Sequence, residues 1–481
     1  MRLRPRRAAA VLAAVAIAGA GCSGPAGTFE DGLRPGGSAT GGSATGDGRT
    51  APGTGAACPA AYAAPDPARP RITLTFDLAG DLATVRGTEK VVFTPDLPVT
   101  ELVFRLTANT APSVRAGSRI QVTSVTASPS GGAHRFERAE ADPGTQGGLL
   151  VIPLGREVPA GQQVTAEVGF TLTLGQRAFD RFGRTEAFAW WGSGQPLFAW
   201  ERGVGWHREP LLRFTAESAT SEAAAIDLTV TAPGDGQALL SGVQDAPGDA
   251  GSGRRRWHSV ADRARDVSVA VGRFSTVEGT AAGAKVVVGA TSRDEASRLL
   301  AESLRGVREL SARFGPPPFP VISLTRLPIG GGGIEYPGSI LMLDSSRVVT
   351  VHELAHQWFY AMVGNSQASH PWLDEAFATW AEEAVDGIRV DQTVLGLPDD
   401  VGDSTAEFDG SERRYYATVY GKGAAALHAA ERAVGTTAFR TAIRCYVNAN
   451  AWKIADPADV AAALSGLPRA TAVLREAGAL P

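Results

Sequence analysis

The sequence predicts a multidomain α+β protein, an N-terminal antiparallel β domain followed by a mostly helical domain. Three observations carry that expectation. Apolar residues alternate with period two from about residue 69 to 290, the period becomes helical after 290, and 481 residues at 44% hydrophobic supply a core for each part. The formal net charge of −4 lacks the basic excess of a nucleic-acid binder, so no nucleic-acid partner is expected. Three cysteines cannot build a disulfide scaffold or a cysteine-only zinc site.

Ahead of the folded parts, Met1–Arg7 is basic and Ala8–Ala20 is a run of small apolar residues, too short to span a membrane. The run Ala18-Gly19-Ala20-Gly21-Cys22 resembles a bacterial lipobox, with Gly19 where leucine is usual. Residues 1–21 therefore read as a signal peptide and Cys22 as the lipid-bearing residue that attaches the chain to a membrane. From 23 to 57, 28 of 35 residues are Gly, Pro, Ser, Thr or Ala, a composition unable to bury apolar surface, and residues 22–68 are expected to form a disordered tether. The expected location is the outer face of a bacterial cell membrane. Only four lysines beside heavy alanine and glycine use point to a GC-rich genome, such as an actinobacterium's.

In the β domain, expected over 69–290, Ile72, Leu74, Phe76 and Leu78 share one face of a strand. Leu102, Phe104 and Leu106 repeat the pattern, as do Val164 to Leu174, Ile226 to Val230, and Val267 to Val271. The aromatic group Trp190, Trp191, Phe198, Trp200 and Trp206 is read as core or rim of this domain.

The second domain, expected over 291–481, opens with the helical stripe Leu299, Leu300, Leu304, Val307 and Leu310, ending near Gly315-Pro316. A short buried strand follows at 321–327, then the glycine run 330–333. His352-Glu353-Leu354-Ala355-His356 lies in an apolar periodic segment. On a helix, residues four apart share a face, so both imidazoles can reach one metal ion while Glu353 reaches a water beside it. Pro371-Trp372-Leu373-Asp374-Glu375 opens another helix. Glu375 completes a two-histidine, one-carboxylate set that leaves a zinc position open for chemistry. Its alternative, a solvated acid favoured by the helix dipole, fits poorly with its apolar neighbours Trp372, Leu373 and Phe377. Glu382, seven residues on, reads equally as a partner for a ligand imidazole or as an exposed helix charge.

His352-Glu353-x-x-His356, eighteen residues and then Glu375 resembles the gluzincin signature of the alanyl-aminopeptidase (aminopeptidase N) family. Gly332-Gly333-Ile334-Glu335-Tyr336 is similar to that family's Gly-x-Met-Glu-Asn exopeptidase motif, and Tyr420-Gly421-Lys422-Gly423 to its Tyr-x-Lys-Gly motif. The resemblance implies a thermolysin-like catalytic domain holding one Zn²⁺ per chain on His352, His356 and Glu375. It implies Glu353 as general base, taking a proton from zinc-bound water and passing it to the leaving amine, and Tyr420 as hydrogen-bond donor to the developing oxyanion. Glu335 would anchor the substrate's α-ammonium, and Gly332 and Gly333 would let peptide backbone approach as an added strand. Peptides are the implied substrates. Ile334 and Tyr336 depart from the motif, and Tyr415 and Tyr416 compete with Tyr420 for its role. A zinc endopeptidase and a non-catalytic peptide-binding lipoprotein are the alternative readings. Cys58 and Cys445 are available to pair in an oxidising compartment, and no spacing decides it.

Overall fold

The structure, a computed structural model, describes residues 58–176, 180–214, 216–217 and 219–481. The expected signal segment 1–21, Cys22 and the tether up to residue 57 lie outside the described residues. Among those described, no helix is long and apolar enough to cross a membrane.

An eight-stranded sheet forms one wall of the β part. Its main path runs Val243–Gln244, Arg254–Ala264, Ala224–Pro233, Arg71–Leu78, Thr84–Phe93, Val164–Thr173 and Arg119–Ser128. The alternating stripes named from sequence lie side by side, Ile72 opposite Ile226, Leu74 opposite Leu228 and Phe76 opposite Val230. That central pair is parallel, an exception in an otherwise antiparallel sheet. Burial follows the alternation because one face meets water and the other a core shared with two four-stranded sheets. Trp191 and Trp200 are sealed in that core, and Trp190 lies at the junction with the second part.

The second part contains a five-stranded sheet in the order Ser275–Ala281, Ala284–Ala290, Val321–Arg326, Ser339–Met342, Gly333–Tyr336. This sheet spans position 290, where the sequence placed a domain boundary. Alternation reports a half-buried strand but not which sheet it joins. Here Ala284–Ala290 pairs in parallel with Val321–Arg326, and parallel neighbours need a crossover. The crossover is helix α1 (Arg293–Phe314), capped by Ser292, whose hydroxyl accepts from the Glu295 N–H.

Residues 58–68, expected in the tether, instead include a strap fastened to the second part. Cys58 is disulfide-bonded to Cys445. The Ala63 N–H donates to the Asn448 carbonyl, and the Tyr62 hydroxyl donates to the Pro316 carbonyl (2.6 Å) while accepting from Trp358 Nε1. One covalent bond and several long-range hydrogen bonds order a segment whose composition alone suggested none.

Helix α2 (Arg347–Ala355) and helix α3 (Trp372–Asp386) carry the metal-ligand motif. Ser346 caps the first; Pro371 opens the second and Gly387, at φ +66°, ends it. Helix α4 (Gly423–Val434) packs on α3 and helix α5 (Thr436–Asn450) carries Cys445.

Candidate active site

Helix α2 stops one residue before His356, but His356 keeps a right-handed helical conformation (φ −59°, ψ −14°), so the spacing of four survives. His352 Nε2 and His356 Nε2 stand 3.1 Å apart, and Glu375 Oε2 lies 3.3 and 3.4 Å from them. Zinc–nitrogen and zinc–oxygen bonds of about 2.0–2.1 Å give a tetrahedron with edges of about 3.3–3.4 Å, so the donor triangle fits one zinc ion. The charge pattern fits as well. Burial alone would lower the pKa of His352, yet the Glu375 and Glu382 carboxylates drive it up to about 10, the field of a site that attracts positive charge.

Each imidazole uses its other nitrogen on a carboxylate. His352 Nδ1 is 2.9 Å from Glu382, which settles the two readings of that residue, and His356 Nδ1 is 2.6 Å from Asp374. Such partners fix ring orientation and raise ligand basicity. Asp374 lay inside the quoted motif without a role. Its 1% exposure was the missing fact, and sequence offers only its place beside Glu375 and among apolar residues.

Glu353 points to the same side. Its Oε2 is buried without a hydrogen-bond partner, and burial pushes its carboxyl up to about 7. Gly333 explains how an edge strand comes so close: a Cβ there would lie 2.4 Å from the Glu353 carboxyl carbon. At Gly332 a Cβ meets nothing within 4 Å, so local packing does not demand glycine. Gln357 ties strand to helix, its Oε1 accepting from the Gly338 N–H and its Nε2 donating to the Tyr336 carbonyl.

Glu335 sits on this edge strand, 4% exposed, with Oε1 unpartnered. Burial and then the nearby Glu217 carboxylate raise its pKa well above the ordinary range. Glu217 comes from the β part, held by Arg181 at 2.6 Å, and no local sequence signal marked it. Along the strand, Ile334 and Tyr336 point the other way, into a cluster with Trp190, Leu239, Ala270 and Phe274 of the β part. The Tyr336 ring fills space that a Cβ at Gly192 would need. The two departures from the exopeptidase motif thus lie at the junction between parts, on the face away from Glu335.

Of the competing tyrosines, Tyr420 stacks on the His352 ring (centroids 5.9 Å apart, planes 9° apart). Tyr415 is buried against Phe214 and Phe408, and Tyr416 packs beside Tyr420. Burial raises the Tyr420 phenol well above its usual value, so it remains an O–H donor. A π-helical turn over Tyr416–Lys422 presents it. Lys422 anchors that turn by donating to the Leu397 and Asp399 carbonyls. At Gly423 a Cβ would lie 2.6 Å from Ala376 of α3, so the glycine lets α4 approach the ligand helix.

With this geometry in place, the known proteins that this chain is similar to are peptidases. The sequence profile of the Peptidase family M1 domain matches residues 339–474. Aminopeptidase M1 of Arabidopsis thaliana is 29% identical over 186 residues, 31% of this chain and 21% of that protein. Probable aminopeptidase 1 of Saccharolobus solfataricus is 30% identical over 146 residues, 24% of this chain and 18% of that protein. The matches thus span about a fifth of the length of those relatives. The crystal structure of an M1 zinc metallopeptidase from Deinococcus radiodurans superposes with a TM-score of 0.62 at 20% identity, covering 86% of this chain and 94% of that one. At that identity the likeness establishes the fold, which is that of a two-domain M1 peptidase.

Proposed function

We propose that this chain, whose residues 339–474 match the Peptidase family M1 domain, is a zinc-dependent aminopeptidase of the aminopeptidase N type that releases N-terminal residues from peptides. The observation that carries the reading is the buried Glu335 carboxylate, its Oε1 without a partner, on an edge strand beside the His352, His356 and Glu375 triangle. Zinc, when bound, polarises the scissile carbonyl and acidifies water.

The remaining work belongs to the protein. The outer edge of Gly333–Tyr336 accepts peptide backbone as a further strand, and Glu335 receives the α-ammonium, which brings the counter-charge the buried carboxylate lacks. Glu353, poised near neutrality, takes the proton from the attacking water and returns it to the leaving amine. Tyr420, kept neutral, donates to the oxyanion as charge develops there.

The chain is further proposed to be exported and lipid-anchored through Cys22. The lipobox-like segment and the small-residue stretch after it support this, and the Cys58–Cys445 disulfide suits an oxidising compartment.

The test pairs an aminoacyl-arylamide with its N-acetylated form. Hydrolysis of the free amine alone, abolished by chelator and restored by Zn²⁺, is expected. Equal hydrolysis of both would favour an endopeptidase, and zinc-loaded binding without turnover a peptide-binding lipoprotein.

A further inference from the structure

The two ligand imidazoles are fastened differently. His352 is held within the α2–α3 pair, by Glu382 on α3. The partner of His356 is itself held by a residue outside both helices. Asp374 Oδ1 faces His356 Nδ1, and its other oxygen, Oδ2, accepts from Gln367 Nε2 at 2.9 Å. Gln367 Oε1 in turn accepts from the Ala219 N–H at 3.1 Å, and Ala219 belongs to the segment that leads into the β-part strand Ala224–Pro233. Gln367, Asp374 and His356 are exposed by 2%, 1% and 1%, so water does not substitute for a missing link.

We propose that Gln367 is a positioning residue for the metal site, fixing Asp374 and through it the His356 ring by reference to the β part. The proposal rests on the reading of His356 as a zinc ligand. The amide is used at both ends and in one orientation only: reversed, it would set oxygen against carboxylate and NH₂ against N–H. With Oδ2 bonded to Gln367 and Oδ1 2.6 Å from His356 Nδ1, the carboxylate is restrained from swinging about its Cβ–Cγ bond, and the imidazole beside it keeps Nε2 aimed at the donor triangle.

The loop carrying Gln367 is seated from the β part as well. The buried Arg265 guanidinium donates to the carbonyls of Ser221, Ala361, Met362 and Lys453. It occupies the place a Cβ at Gly364 would take, 2.3 Å from the guanidinium carbon. Ser366 Oγ donates to Glu209 and accepts from the Thr220 hydroxyl. Gln367 is therefore the point where the seam between the two parts meets the residues around the ligand imidazoles.

The experiment measures zinc affinity of the full chain by competition with a chromophoric chelator, with the visible spectrum of the Co²⁺ form and the thermal midpoint alongside. Gln367→Met keeps the volume and removes both hydrogen bonds. It is expected to weaken zinc binding about tenfold or more and to shift the Co²⁺ spectrum. Gln367→Glu, which retains the acceptor for the Ala219 N–H but loses the donor to Asp374, should weaken it in the same direction. In an Asp374→Ala background Gln367→Met should cost nothing further, because nothing remains for it to act through. Unchanged zinc affinity in both Gln367 variants overturns the proposal, as does an equal loss with and without Asp374. A wild-type chain that holds no zinc would defeat the metal-site reading itself, which the wild-type arm reports separately.

Discussion

The β part and the catalytic part both bury ionisable side chains, and Asp266 in the first is met differently from Glu335 and Glu353 in the second. In the β part Asp266 is buried and answered: Ser193 Oγ, Gln195 Nε2 and the Val267 N–H all donate to it. Buried Arg105 donates through its two terminal nitrogens to the Glu209 carbonyl and carboxylate, while its Nε has no partner. In the catalytic part Glu335 and Glu353 are equally deep, and each leaves one oxygen without a partner. A buried acceptor left unmade costs about 1–3 kcal/mol, a cost that a ligand pairing with it would offset. Under the proposed function, the contrast separates groups that hold the protein together from groups that would act on a substrate.

The sharpest test is Glu353→Gln. It preserves shape and leaves His352, His356 and Glu375 in place, so zinc content and thermal midpoint should match wild type while kcat falls by about 10²–10⁴. Stoichiometric zinc with normal turnover would remove Glu353 from the chemistry. Next in size is Glu335→Ala. Arylamides with free amines should lose roughly 10²-fold in kcat/KM, mostly through KM, and N-blocked substrates should show no comparable loss. Gly333→Ala should follow. Its Cβ would lie 2.4 Å from the Glu353 carboxyl carbon, so that side chain must turn aside; kcat should drop by about tenfold or more with zinc affinity retained.

How much of this was readable in advance follows from the same contrast. Strand stripes such as Ile72 to Leu78 were visible because burial on one sheet face imposes period two, and the metal ligands because helix geometry imposes a spacing of four. Both are short-range rules. Sheet membership of 275–290, the ordered strap at 58–63 and the approach of Glu217 to Glu335 depend on contacts between residues far apart in the chain, which no local period encodes. Gln367 is the extreme case: an unremarkable loop glutamine whose role exists only once Ala219 and Asp374 flank it. Asp374 and Glu382 fall between, placed on the right helix by sequence but assigned to their imidazoles only by the packing of α2 on α3.

Glu89 offers the way to break the contrast, because it is a β-part carboxylate that resembles the catalytic ones. It is 1% exposed, points into the β core from Thr84–Phe93, and leaves Oε2 unpartnered. Burial first, and the Asp266 carboxylate second, raise its pKa well above the ordinary 4.5. Below about pH 4.5 the folded and unfolded chains both hold this proton, and folding carries no charge penalty. As pH rises the unfolded chain releases the proton that the folded chain retains, so stability falls. Glu89→Met removes the titration and fills the space with an apolar side chain. It should raise the thermal midpoint at pH 7 by about 2–4 °C, and that advantage should shrink as pH is lowered toward 4.5. Activity on aminoacyl-arylamides should not change, since no substrate reaches the interior of that sheet. Thermal scans of both proteins at several pH values, with one activity assay, decide it. A stabilised variant of full activity leaves Glu89 a structural burden of the β part. A variant that loses turnover would mean that an unanswered carboxylate marks function in both halves of the molecule, and the distinction drawn between them would fail.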